Sequence, residues 1–183
     1  MPNPRKAPPR IAILGNAGSG KSTLAARLVR THGLRSLDLD TVAWEPGKVA
    51  VARHPESAAA DVRRFAAADD GWVIEGSYAS LVRAALDFGP FLVFLDPGVE
   101  ACLEHCRRRP FEPHKYASKT AQDERLEFLS AWVESYGRRD DDTSRRVHED
   151  LFAAYPGPKV RLLGGDCDSE SLLKGFDVSD PSR

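Results

Sequence analysis

One stretch decides the fold: Gly15-Asn16-Ala17-Gly18-Ser19-Gly20-Lys21-Ser22. The apolar residues 11–14 before it are typical of a buried strand, and a helix follows from about Lys21 to Gly33, with Leu24 and Leu28 on its apolar face. A glycine-rich connection from a strand into a helix begins a β-α unit, from which parallel sheets are built. The sequence around residue 15 therefore predicts an α/β fold.

The same stretch is a full match to the pattern GxxxxGK[ST], the P-loop. Its glycines let successive backbone N–H groups surround a phosphate, and the following helix directs its positive end at the same point. Lys21 is expected to contact the β- and γ-phosphates, and the Ser22 hydroxyl to bind Mg²⁺. The pattern therefore predicts a nucleoside triphosphate and Mg²⁺ as cofactors. We expect ATP, and the choice between ATP and GTP stays open. The expected nucleotide-binding residues are Gly15, Asn16, Ala17, Gly18, Ser19, Gly20, Lys21, Ser22 and Thr23.

Strands and helices alternate along the rest of the chain, as they do in a parallel sheet with helices on both faces. The polar, irregular segment 110–119 is the predicted lid loop, and residues 1–9 and 178–183 are expected to be loose tails. The whole chain of 183 residues is interpreted as one domain. Further strands are predicted at 37–39, 72–74, 91–95 and 160–163, and helices from Pro55, at 81–86, from Val99, over 126–136, at 143–154 and near Ser171.

Composition and charge exclude several classes of protein. Hydrophobic residues make up 42% and charged residues 29%, the balance of a folded globular chain. Lys and Arg total 26 against 27 Asp and Glu, so the net charge of -1 provides no overall basic field for nucleic acid or an anionic membrane. No apolar run approaches the roughly 20 residues of a membrane-spanning helix, the first residues lack the apolar centre of a signal peptide, and three cysteines form no disulfide framework. We therefore expect a cytoplasmic protein, a monomer or homodimer, with small-molecule partners.

Carboxylates follow two of the predicted strands, at the edge where open α/β sheets bind their ligands. Asp38-Leu39-Asp40 ends the second strand, and its two carboxylates point the same way. Asp38 is expected to hold Mg²⁺ through water, and Asp40 to orient or deprotonate an acceptor hydroxyl. Glu75 ends the third strand and is expected to contact acceptor hydroxyls or the magnesium shell. The alternative for segment 38–40 is a solvated strand end or a cap for the next segment.

Aromatic and cysteine residues leave alternatives open. Tyr78 and Trp44 are interpreted either as an apolar wall of the acceptor pocket or as core residues. Cys102 and Cys106 lie on the apolar face of their predicted helix, so core packing is preferred to a metal site with His105.

Two further residues are interpreted as structural. Asp96 ends the apolar strand at 91–95 and is expected to cap the helix that follows. His148 lies among charged helix residues, so we expect no catalytic role for it.

Basic side chains follow the fourth strand and its helix. Arg107, Arg108 and Arg109 cannot all face one way, since successive helical residues diverge by ~100°. One or two of them are expected to neutralise the transferred phosphoryl group. The alternative is a solvated basic helix end that complements the helix dipole. Surface ion pairs with acidic residues 140–142 are expected for Arg138, Arg139, Arg145 and Arg146.

With these motifs the chain resembles the small P-loop kinases of the adenylate and shikimate kinase type, and most of all the kinase-like proteins known as topology modulation proteins. The resemblance rests on the P-loop with Ser22-Thr23, on LDLDTVAWEP at 37–46, on WVIEGSY at 72–78, and on FLDP at 94–97 before the three arginines. It implies a five-stranded parallel sheet of order 2-3-1-4-5 and an acceptor site after the second strand. It also implies a lid that brings arginines to the phosphates, and Arg109-Pro110 resembles the start of the lid in shikimate kinases.

The chain departs from both kinase types on the acceptor side. Shikimate kinases carry a triple-glycine turn after the third strand, where this chain has Glu75-Gly76-Ser77-Tyr78, and their Phe-Arg-x-x-Glu acceptor motif is missing here. The paired arginines with which adenylate kinases hold a second nucleotide are missing as well. The acceptor therefore stays open.

We expect an ATP-dependent phosphotransferase that moves the γ-phosphoryl group to a small-molecule hydroxyl or phosphate. The alternative is a nucleotide-gated regulatory or nucleic-acid-associated P-loop ATPase. The expected catalytic residues are Lys21, Asp40 and Arg109, the substrate contacts are Asp40, Glu75 and Tyr78, and the metal ligands are Ser22 and Asp38.

Overall fold

The computed structural model describes residues 8–47, 51–68, 70–111 and 117–164 of the chain. Residues 112–116, which are the middle of the predicted lid loop, lie outside this description. So do residues 1–7 and 178–183 of the predicted tails and the helix expected near Ser171.

Parallel strands form the sheet at the centre of the described chain. Its order is β2-β3-β1-β4-β5, so the strand that leads into the P-loop is the middle one. In that strand Ile13 lies beside Glu75 of β3 and Val93 of β4. The α/β fold and the strand order 2-3-1-4-5 are thereby confirmed. The strands are β1 (Arg10–Gly15), β2 (Arg35–Asp38), β3 (Trp72–Gly76), β4 (Phe91–Leu95) and β5 (Lys159–Leu162).

Helices connect the strands and cover both faces of the sheet. The helix after the P-loop ends at Gly33, whose φ of +65° is a left-handed conformation that glycine adopts without strain. Ser118 and Ser144 cap the two helices that follow them by accepting hydrogen bonds from the N–H groups of Ala121 and Val147. In the described ranges, no helix has both the length and the apolar character needed to cross a membrane. The helices are α1 (Lys21–His32), α2 (Asp40–Ala43), α3 (Pro55–Ala66), α4 (Ala79–Leu86), α5 (Val99–Arg108), α6 (Lys119–Glu134) and α7 (Arg145–Ala154).

The core lies in two layers, one on each face of the sheet. Successive strand residues point to opposite faces, so Ile11 and Ile13 pack with α1 while Ala12 and Leu14 pack on the other side with α3 and α4. Both sets are completely buried. Burial on both faces explains why the central strands appear in the sequence as continuous apolar runs without alternation.

The bounds of the second strand differ from those predicted. The strand runs over Arg35–Asp38 and not over 37–39, because backbone pairing with β3 begins at Arg35 although its side chain is exposed at the sheet edge. Leu39 instead leaves the strand, is completely buried, and packs against Gly76. The short helix α2 that follows was not predicted, since four residues are too few to show helical periodicity.

Candidate active site

The P-loop is a tight turn from β1 into α1 that requires glycine at two positions. A Cβ on Gly15 would lie 2.4 Å from the Leu95 carbonyl oxygen, and one on Gly18 would lie 2.3 Å from the Cys102 carbonyl oxygen. Gly18 also has a φ of +74°. The loop is therefore closely packed between β4 and α5.

Lys21 is buried at the end of this loop, where α1 begins. Its Nζ donates a hydrogen bond to the Asn16 carbonyl oxygen at 2.8 Å. Burial lowers the pKa of the ammonium, while the charges of Glu75 and Asp40 oppose that effect. The Ser19 hydroxyl is also buried, with no hydrogen-bond partner among the described residues. A buried ammonium and an unpaired hydroxyl beside a helix N-terminus fit a bound phosphate group.

Ser22, Asp38 and Glu75 line one cleft of about 340 Å³ beside α1. Asp38 and Glu75 are direct neighbours in the pairing of β2 with β3. Burial raises the pKa of the Glu75 carboxyl, and both the Lys21 charge and a hydrogen bond with Ser22 act against that rise. The predicted metal ligands Ser22 and Asp38 thus lie on the same side of the sheet as Glu75.

Ser22, Asp38 and Glu75 can hold Mg²⁺ only together with further oxygen ligands, such as water and substrate phosphates. Within the described ranges, no group of three or more His, Cys, Asp or Glu side chains is placed to hold a metal ion. Mg²⁺ usually keeps several waters and takes one or two carboxylates together with substrate phosphates. The donors at this cleft, two carboxylates and a hydroxyl, match that pattern.

Asp40 begins α2 and is held by side-chain contacts. Its Oδ1 accepts a hydrogen bond from the Tyr78 hydroxyl at 2.9 Å, and Trp44 Nε1 donates to the same hydroxyl at 3.0 Å. The Asp40 backbone N–H donates to Asp38 Oδ1 at 2.9 Å. Trp44 is 38% exposed, so its interpretation as a core residue is wrong. Neither interpretation of Tyr78 and Trp44 included these hydrogen bonds.

Arg109 is the member of the arginine cluster that lies near the P-loop. It follows α5 half-buried, and its positive charge contributes to lowering the pKa of Lys21. Arg107 and Arg108 are exposed, and Arg108 forms an ion pair with Glu104. The geometry therefore brings Lys21, Asp40 and Arg109 to one end of the sheet, whereas Thr23 lies exposed in the first turn of α1.

Helix α5 packs against the P-loop. His105 Nδ1 lies 2.8 Å from the Gly18 carbonyl oxygen, so that nitrogen carries the hydrogen. Cys102 and Cys106 are buried in a cluster with Leu103 and Val133, and burial raises the pKa of both thiols. The cysteines thus pack in the core.

Arg139 pairs with the acidic segment 140–142 as expected, since its Nε lies 3.5 Å from Asp141 Oδ1, but the expected surface position is wrong. Its side chain is largely buried, lies over the Trp132 ring at 3.8 Å, and donates to Asn16 Oδ1 at 3.4 Å and to the Thr143 carbonyl oxygen at 2.7 Å. Asn16 in turn donates to the Val133 carbonyl oxygen at 3.2 Å. The P-loop is therefore linked to α6 through Asn16, and no local pattern in the sequence indicated the link.

His148 is completely buried although charged residues surround it in the sequence. Its Nε2 lies 2.7 Å from the Ser77 carbonyl oxygen, so Nε2 carries the hydrogen and Nδ1 accepts from the Tyr136 hydroxyl at 2.8 Å. The Ser77 hydroxyl donates to the Gly15 carbonyl oxygen at 2.9 Å. The chain of contacts joins α7 to the start of the P-loop.

Asp96 does not cap α5, contrary to the prediction. Gly98 is the cap residue, and no side chain accepts a hydrogen bond from the first turn. The buried Asp96 carboxylate instead pairs with Arg145 at 3.1 Å and Arg161 at 2.5 Å. Arg145 is itself 45% exposed, and its pair with the buried Asp96 ties α7 to the end of β4.

The first strand of the parallel sheet leads through a glycine loop into a helix, and the lysine of the loop is buried. This arrangement defines a P-loop fold. No family model matches the sequence, and no curated protein does.

Solved structures show which kinds of P-loop protein share the fold. A gluconokinase from Sinorhizobium meliloti 1021 matches with a TM-score of 0.56 and 16% identity, over 94% of this chain and 93% of that one. A sugar kinase from Janibacter sp. HTCC2649 matches with a TM-score of 0.54 and 17% identity, over 94% and 96%. Shikimate kinase from Acinetobacter baumannii matches with a TM-score of 0.54 and 16% identity, over 96% of each chain. The chain has the fold of the small P-loop kinases.

Proposed function

We propose that this protein is a kinase that transfers the γ-phosphoryl group of ATP to a small molecule. One observation carries the proposal: the buried Lys21 ammonium lies in the glycine loop, next to a cleft that is lined by Ser22 and Glu75. A site that only binds nucleotide needs the loop and the lysine. A site that transfers phosphate also needs groups on the acceptor side, and Asp40 and Glu75 supply them.

Each of these residues has a role that follows from its charge and place. Lys21 and the loop N–H groups bind the phosphates, and Arg109 neutralises negative charge that spreads over the transferred group. Asp40 orients the acceptor. Positioning and charge stabilisation supply most of the rate in such reactions, because the protein forms no covalent intermediate.

Mg²⁺ would be held by Ser22, with Asp38 and Glu75 binding its water ligands. When bound, it neutralises phosphate charge and fixes the geometry of the triphosphate. Glu75 also has a role that does not depend on Mg²⁺, because its carboxylate provides a counter-charge for the buried Lys21.

The proposal is tested by Mg²⁺-dependent ADP formation across a panel of sugar acids, polyols, nucleosides and nucleoside monophosphates. We expect one class to stimulate turnover, and Lys21→Ala to reduce kcat/KM by at least about 10³-fold. Lys159→Ala is the matched control, because Lys159 donates to carbonyl groups at the end of α7, away from the loop. Equal turnover in Lys21→Ala and wild type would refute the assignment.

A further inference from the structure

The contacts of Tyr78 specify a positioning role for it, on the basis of the proposed function. Three residues from two segments meet after β2 and β3: Asp40 begins α2, Trp44 follows it, and Tyr78 precedes α4. Trp44 and Asp40 both contact the Tyr78 hydroxyl, at 3.0 and 2.9 Å. Only one assignment of hydrogen-bond donors and acceptors is possible among these three side chains.

An indole N–H only donates, so the Tyr78 oxygen accepts from Trp44 and must direct its own hydrogen elsewhere. The remaining partner is Asp40, whose carboxylate accepts. Burial and the Asp40 charge raise the pKa of Tyr78 above its ordinary value, so the phenol stays protonated as a donor at neutral pH. Trp44 thus fixes the direction in which Tyr78 donates.

The backbone around these side chains is also held. Trp44 forms an antiparallel bridge with Ala52, supported by hydrogen bonds from Glu45 N–H to the Val51 carbonyl oxygen at 2.8 Å and from Arg53 N–H to the Ala43 carbonyl oxygen at 2.9 Å. Asp40 itself is held from a second side, since its N–H donates to Asp38. One oxygen of the Asp40 carboxylate therefore accepts from Tyr78, and the Asp40 backbone is held by its hydrogen bond to Asp38.

We infer that Tyr78, oriented by Trp44, is a positioning residue that holds the Asp40 carboxylate toward the hydroxyl of the acceptor. In the transfer, the acceptor oxygen bonds to the γ-phosphorus as its proton passes to Asp40 Oδ2. The bond from the γ-phosphorus to the β–γ bridging oxygen breaks, and ADP leaves with that electron pair. Asp40 then releases the proton to solvent.

A double-mutant cycle on Tyr78 and Asp40 tests the positioning role. We expect Tyr78→Phe to lower kcat by about tenfold or more while the KM values for ATP and acceptor stay within about threefold, because the ring remains and only the orientation of Asp40 is lost. In an Asp40→Asn background the same change should lower kcat less than about twofold. Tyr155→Phe, which removes a buried tyrosine hydroxyl bonded to the Pro90 carbonyl oxygen, is the matched control and should leave kcat unchanged.

The outcomes separate this inference from the proposed function. Multiplicative effects of Tyr78→Phe and Asp40→Asn on kcat would overturn the positioning role, while the kinase assignment survives. No ADP formation with any acceptor would overturn the proposed function and this inference with it.

Discussion

Lowering the pH tests the buried contact that joins α7 to the P-loop. Burial of His148 between Tyr136 and Ser77 lowers the pKa of its imidazole to about 4, from an ordinary value of 6.5. Between these two values the unfolded chain binds a proton that the folded protein excludes. The contribution of the neutral ring to stability is therefore complete above pH 6.5 and is lost as the pH falls toward 4.

The size of the effect follows from the two pKa values. A difference of about 2.5 units corresponds to about 3 kcal/mol in full, of which about 2 kcal/mol is lost between pH 7 and pH 5. Urea unfolding at both pH values gives the measurement. His148→Gln removes the titrating group. Between pH 7 and pH 5, the free energy of unfolding of this variant should therefore fall by about 2 kcal/mol less than that of wild type.

Carboxylates titrate over part of the same range, and the comparison between variants removes their contribution. His32→Gln is the matched control, because His32 is exposed at the end of α1 and should leave the wild-type pH dependence intact. If His148→Gln loses as much stability as wild type between pH 7 and pH 5, the pKa of His148 is not lowered and the reasoning fails.

Two further predictions concern packing and charge. Gly18→Ala should lower the free energy of unfolding by about 2 kcal/mol more than Gly20→Ala, because both glycines have positive φ but only at Gly18 would the added Cβ meet α5; equal urea midpoints for the two variants would contradict this. Asp96→Asn should cost about 2 kcal/mol in the same assay, because the buried carboxylate is lost while the partly exposed Arg145 and Arg161 keep Glu149 as a partner. Asp150→Asn, at an exposed pair with Arg146, should cost less than about 1 kcal/mol, and a similar cost for both would show that the Asp96 network adds no stability.

The parts of the fold that the sequence predicted correctly are those set by local chemistry. The P-loop and α1 depend on glycines, a lysine and helical periodicity within a few residues of one another, and Gly33 ends α1 where expected. The strand at Phe91–Leu95 matches its apolar run because it is buried on both faces. At the sheet edge this reasoning failed, since the exposed Arg35 and Ser36 of β2 carry no apolar pattern.

Contacts between distant residues could not be predicted in this way. Arg139 lies 123 positions from Asn16, and His148 lies 71 positions from Ser77. In a linear sequence both look like members of a charged surface segment. The hydrogen bonds among Asp40, Trp44 and Tyr78 likewise depend on how β2 and β3 pair, although each residue had been singled out.

The central claim, transfer of phosphate from ATP to a small-molecule acceptor, is tested most directly by ³¹P NMR of the products formed from ATP, Mg²⁺ and the stimulating acceptor. The account predicts ADP and the phosphorylated acceptor in equal amounts, with neither formed by Lys21→Ala. ADP accompanied only by inorganic phosphate would contradict it and would indicate a nucleotide-gated ATPase instead.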